Sequence, residues 1–262
     1  MSRQLRAEVL KLRSLWSTWI LVGSSAAAAV FLGGLIAVLP RNAASGTAAL
    51  PSPGTAKWFD LVFLSLSYAE YFALVIGVLA VTGEYRHRTI TSTYLVEPRR
   101  TRVAGSKTVV AAGYGGLCAL AAAGAGLLLG LVLVWAGKGT TSLMLTEYRH
   151  VAPGVLGASM VFGVFGVGLG VLLRSQVVAL VVGLGTAIVE SSVAALLPSG
   201  IGRWLPSQAA QAMSSATAGA AGGLENHVTH LLPWWGGGLL LLGYGLALVV
   251  IGSATTLRAD VT

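Results

Sequence analysis

The sequence predicts an all-α integral membrane protein, and three observations lead there. Of the 262 residues, 55% are hydrophobic and only 10% charged, with a mean hydropathy of +0.79, whereas soluble domains carry about 25% charged residues. The apolar residues come in uninterrupted runs, and about 20 such residues suffice for a helix to cross the hydrocarbon core of a bilayer. The 35 glycines lie inside those runs rather than between them, as in helices that pack closely in lipid. This composition excludes an ordinary water-soluble enzyme, a disordered tail and a nucleic-acid-binding domain. A single cysteine, Cys118, excludes a disulfide framework and a cysteine-based metal cluster.

The runs predict six spans: Ser14–Pro40, Leu61–Gly83 interrupted only by Glu70, Thr108–Gly137, Val151–Leu173, Ser175–Pro198 with Glu190 inside it, and Leu231–Leu257. The apolar part of the first, Leu15–Leu39, exceeds the roughly 7–15 residues of a signal-peptide core, so it reads as an uncleaved span. Orientation follows from the 17 Lys and Arg residues. With the N-terminus inside, only Arg41, Lys57, Lys138, Arg149 and Arg203 fall outside, which places both termini in the cytoplasm.

Residues 1–17 predict an amphipathic helix along the membrane surface. Leu5, Val9, Leu12 and Trp16 form one stripe, and Arg3, Arg6 and Arg13 lie on another face. Arg41 to Lys57 and Lys138 to His150 read as short polar connectors. The segment 84–107 differs. A short helix over Glu84–Leu95 is interrupted by Pro98 before a basic cluster, Arg99-Arg100-Thr101-Arg102, suited to an anionic lipid surface. Between the last two spans, 198–230 carries only Arg203 and Glu225 as formal charges. So weakly charged a stretch fits an outer re-entrant hairpin, with a short helix in Ser207–Ala221.

Six spans, an amphipathic N-terminal helix, the loop Gly83-Glu84-Tyr85-Arg86-His87-Arg88-Thr89 ending in Pro98-Arg99-Arg100 with Arg102 and Lys107, and the apolar hairpin after Trp204-Leu205-Pro206 resemble the permease subunits of type-2 ATP-binding-cassette (ABC) exporters. The resemblance covers essentially the whole chain. Arg88 stands where the family often has Gly before the Thr, a local difference in the turn. The resemblance implies a single transmembrane domain over 1–262, in which two permease copies, identical or paralogous, pair with two ATPase subunits that bind ATP and Mg. Glu84, Tyr85, Arg86, Arg88, Thr89, Pro98, Arg99, Arg100 and Arg102 would form the ATPase-coupling surface, and Arg174-Ser175-Gln176 a smaller second contact. Substrate would pass between the permease copies along the first, second and fifth spans.

The chain itself lacks a nucleotide site. A phosphate-cradling loop needs G-x-x-x-x-G-K-[ST], and neither Ala104-Gly105-Ser106-Lys107-Thr108 nor Gly137-Lys138-Gly139 fits it. His227 and His230 with Glu225 read as a polar rim rather than a metal site, so no metal or cofactor is expected in this chain. The informative ionisable residues are Glu70 and Glu190, because a charge in mid-span costs roughly 2.5–3.5 kcal/mol even on lenient scales. Ser67 shares the Glu70 face with Phe63, Leu66, Leu74 and Gly77, and Ser191 and Ser192 accompany Glu190. Both carboxylates either line the translocation path, with Phe63, Ser67 and Leu74, or bond between helices. Gly163, Gly166, Gly168 and Gly170 read as packing seams rather than hinges.

The leading expectation is therefore a permease that moves a hydrophobic or amphipathic cargo (antibiotic, lipid or peptide-like) with energy from a separate ATPase. Its partners would be that ATPase, a second permease copy and membrane lipid, not nucleic acid. The Ala, Gly, Val, Leu and Arg bias points to a GC-rich bacterial genome and hence the bacterial plasma membrane. A proton-coupled carrier using Glu70 or Glu190 is the alternative, and a non-transporting assembly factor the third.

Overall fold

A computed structural model describes residues 2–39, 51–87, 100–197, 199–215 and 232–258. The described residues form helices and turns only, in the order α1 (Ser2–Ser14), α2 (Trp16–Val38), α3 (Ala56–Leu64), a 3₁₀ turn (Ser65–Tyr68), α4 (Ala69–Arg86), α5 (Arg100–Trp135), α6 (Thr141–Leu173), α7 (Gln176–Leu196), α8 (Ser199–Gly202), α9 (Pro206–Ser215) and α10 (Trp234–Arg258). Among the described residues, five helical stretches are long and apolar enough to cross a membrane: α2, the continuous run from α3 through α4, α5, α6 and α10. The fifth expected span is helical over Gln176–Leu196, but its described apolar stretch, Gln176–Thr186, is shorter than a crossing.

Three boundaries depart from the sequence reading. The polar segment Lys138 to His150 is not a connector, because α6 already begins at Thr141. Its polar residues occupy the first turns of the helix, where a hydropathy window registers only a break. Segment 84–107 is not a loop at its ends, since α4 continues to Arg86 and α5 starts at Arg100. The expected short helix at 84–95 and the hairpin at 198–230 lie largely outside the described residues, apart from α8 and α9. Within α1 the inward stripe is the half-buried Leu5 and Glu8 with the buried Leu12, whereas Val9 is exposed, and Trp16, the first residue of α2, is 78% exposed. A carboxylate replaces Val9 on the inner face because a buried lysine waits opposite it.

The bundle is organised around α6, which packs against α4, α5 and α10. Its glycines act through the side chains they lack. A Cβ on Gly166 would run into the carbonyl of Leu74, one on Gly77 into the carbonyl of Gly163, and one on Gly163 would meet the Ala111 carbonyl at 2.5 Å. A Cβ on Gly168 would meet Leu248 at 2.7 Å and one on Gly170 would meet Val81 at 3.1 Å. None of these has a positive φ, so the requirement is close backbone approach, and the expectation of packing seams holds.

On one side of α6, Phe59 stacks on Phe63 with ring centroids 6.2 Å apart, and Phe63 meets Tyr148 edge to face at 5.5 Å. The Ser25 hydroxyl of α2 donates to the Cys118 carbonyl of α5 at 3.0 Å, and Ser65 donates to Ala29 at 3.0 Å. These bonds fix α2 to its neighbours where its own sequence, apolar all round, gives little direction. On the other side, α7, α9 and α10 close over Leu74, Phe162 and Leu241.

Candidate functional site

Polar assemblies interrupt this apolar bundle, among them one at the end that carries α1 and one in the half farther from it. At the α1 end, Lys107 lies two turns inside α5 and is only 3% exposed. Its ammonium donates to both oxygens of Glu8, at 3.1 and 3.0 Å, to the Ala80 carbonyl at 3.1 Å and to Glu84 at 2.7 Å. Glu84, with a side chain 1% exposed, also accepts from Lys11 of α1. Two lysines and two glutamates thus join α1, α4 and α5 with no net charge. A buried charge is tolerable only when paired in this way.

Glu84 therefore faces inward, where it ties α4 to α1 and α5. Tyr85 and Arg86 occupy the last turn of α4, and Arg86 donates to Gln176 at 3.3 Å. Gln176 follows a turn in which Arg174 adopts a left-handed backbone, φ 52°, ending α6. The implied second contact, Arg174-Ser175-Gln176, thereby sits beside the end of α4. Arg102 is exposed in the first turn of α5, and the side chain of Arg100 lies outside the described residues. So do Arg88, Thr89, Pro98 and Arg99.

The second assembly surrounds Glu70. The 3₁₀ turn Ser65–Tyr68 immediately precedes it, a mid-helix change of winding of the sort found at strained or functional sites. Glu70 is 5% exposed, and its Oε1, together with the hydroxyls of Ser67 and Ser159, is buried without a hydrogen-bond partner. Ala73, one turn beyond Glu70, and the Ser159 carbonyl both meet the position of Gly115. Glu70 accordingly points toward the junction of α4, α5 and α6. Leu74 and Phe63 are fully buried as well.

The structure places Phe63, Glu70 and Leu74 in the chain's own core. The open face of this helical run is Leu64, Tyr68, Phe72 and Val75, and at about 100° per residue Tyr68 lies nearly opposite Glu70. Hydropathy could not separate the two sides because both are apolar.

Glu190 is half-buried on α7 and accepts from the backbone N–H of Ser207 at 2.8 Å. Ser207 stands in the first turn of α9, so Glu190 caps that helix and meets its positive end. The interaction joins α7 to α9 across a connection that the sequence reading treated as part of the hairpin. The side chains of Ser191 and Ser192 lie outside the described residues. Tyr71, which the sequence reading passed over, is within electrostatic reach of both Glu70 and Glu190.

A further group, Asp60 of α3 with Glu147 and His150 of α6, becomes visible only because α6 starts early. Among the described residues no three His, Cys, Asp or Glu side chains could hold a metal ion. Glu225, His227 and His230 lie outside them. No protein family model, curated protein or solved structure matches the chain.

Proposed function

We propose that this chain is the membrane-spanning subunit of an exporter of the type-2 ABC kind, with six crossings and an outer hairpin, driven by ATP hydrolysis in a separate chain. The supporting observation is the ion network at the α1 end. Segment 88–99 is the arginine-bearing stretch on which a motor subunit would push, and it is flanked by α4 and α5. Glu84 and Lys107 join those two helices to each other and to α1, so a displacement of the segment is delivered to three helices together. The Arg86–Gln176 bond extends that linkage to the turn between α6 and α7.

In this reading the end carrying α1 is cytoplasmic, and the cargo path follows the open faces of α2, α4 and α7, where two copies meet. That surface is apolar and aromatic, which suits a hydrophobic or amphipathic cargo. Co-expression with candidate ATPases and measurement of stimulated ATP hydrolysis tests the proposal. Reversing the charge of Arg99, Arg100 and Arg102 should uncouple hydrolysis from export. Intact export with those charges reversed, and no ATPase co-purifying, would reject it.

The buried, unpartnered Oε1 of Glu70 favours one alternative, a proton-coupled carrier. Transport that persists with ATP present and the proton gradient collapsed separates the two readings in favour of the exporter.

A further inference from the structure

The geometry points to a cation-recognising subsite between α4 and α7, from which we infer that the cargo is an amphiphile with a positively charged head, held by Glu190 against the Tyr68–Tyr71 pair. The inference rests on the exporter reading only in assigning the bound molecule to cargo.

Glu190 can be located on the bundle from the packing of its own helix. Gly183 of α7 lies against Leu74, where a Cβ would meet the Leu74 side chain at 2.9 Å. Seven residues later, two turns on and about 10 Å farther along, Glu190 presents the same face. Because α7 runs antiparallel to α4, that level corresponds to Ser67–Tyr71. The carboxylate thus looks onto the side of α4 that carries Ser67, whose hydroxyl is buried without a partner, and Tyr71.

The charge of Glu190 is incompletely answered. The N–H of Ser207 occupies one oxygen, and a helix N-terminus supplies the equivalent of about half a charge. Among the described residues no Lys, Arg or His lies within ion-pair distance of it. The nearest cation in sequence to its cap, Arg203, instead lies over the Trp204 ring at 5.6 Å. A negative group in an apolar groove gains most from a cation that also brings apolar surface.

The rings complete the match. Tyr68 and Tyr71 meet edge to face with centroids 5.8 Å apart, and Tyr68 is 44% exposed. Aromatic faces attract cations within about 6 Å of the centroid. Carboxylate behind and tyrosines in front select positive charge, and the apolar face of α4 accepts the remainder of the molecule.

The test needs no ATPase. The purified protein is placed in zwitterionic-lipid nanodiscs and titrated with labelled tetraphenylphosphonium, and separately with tetraphenylborate, an anion of the same size and shape. Empty nanodiscs correct for partition into lipid. Saturable binding of the cation and none of the anion is expected.

Glu190→Gln should weaken cation binding at least tenfold with thermal stability unchanged, because the amide oxygen still accepts from Ser207. Tyr71→Leu, which leaves the carboxylate and its cap intact, should weaken it severalfold and serves if the first variant does not fold. Equal binding of the two ions, or unaltered cation binding by a folded variant, overturns the inference. Cation binding by a protein that engages no ATPase would reject the exporter reading and leave the subsite standing. ATP-driven export of neutral cargo without charge preference would do the reverse.

Discussion

Replacing Lys107 by methionine probes the ion network with a side chain of similar length and no charge. The native ammonium has three donors, and they are distributed over Glu8, Ala80 and Glu84 at 2.7 to 3.1 Å. Without it, two carboxylates share the single charge of Lys11, which is 42% exposed. Glu84 already has one oxygen, Oε2, without a partner. An exposed pair contributes about 0–1 kcal/mol, so Lys11 offsets little of the loss. Leaving one buried charge uncompensated costs about 3–5 kcal/mol. At roughly 2–4 °C per kcal/mol for a chain of this size, the melting temperature should fall by on the order of 10 °C.

The assay is thermal unfolding in detergent combined with limited trypsin digestion at Lys11 and Arg13, whose backbone becomes cleavable when α1 is released and unwinds. Adding Glu84→Gln to the methionine variant removes the excess negative charge, and the double variant should be more stable than the sum of the single losses predicts. A Lys107→Met protein that melts within about 1 °C of the parent, with α1 equally protected, would refute the reasoning.

The Glu84 and Lys107 experiment has companions elsewhere in the bundle. Phe63→Ala should cost about 3–5 kcal/mol by opening a cavity between Phe59 and Tyr148, whereas Leu64→Ala, one residue away on the open face, should cost within about 0.5 kcal/mol; similar losses in chemical denaturation would contradict the assignment of the two faces. Gly77→Ala and Gly166→Ala each force a methyl group into a backbone carbonyl and should destabilise by about 1–3 kcal/mol or more, while Gly113→Ala, with open space around it, should be neutral by the same thermal assay. Ser25→Ala removes the bond to Cys118 and should cost about 0.6 kcal/mol, the average for hydrogen bonds between membrane helices, so a loss several times larger would show that Ser25 has a further role.

Five of the six expected spans were legible from run length, because about 20 apolar residues in a row admit few other structures. The packing role of Gly163 and Gly166 followed from their placement inside such a run. What escaped was whatever depends on which apolar side turns inward. Phe63 and Leu64 are adjacent and equally apolar, yet one is core and the other open. Sequence reading chose the Phe63 side for cargo because Glu70 was on it.

The network of Glu8, Lys11, Glu84 and Lys107 was missed for a related reason. Its members are remote in sequence, and charges at the ends of apolar runs read as orientation signals. The clue available was Glu8 standing within the N-terminal basic helix on the same side as Leu5 and Leu12. Glu190 was visible as a misplaced charge, but its use as a cap for α9 needed the fold to bring Ser207 beside it.

The glycine contacts between α4 and α6 have a mechanical consequence. Where peptide units of two helices touch directly, no flexible side chain lies between them to absorb a shift, and sliding one past the other would require the carbonyls to ride over one another. These two helices consequently travel as a single keel. Any change of shape in the bundle is taken up more readily by α7, a more loosely seated timber on the keel's flank.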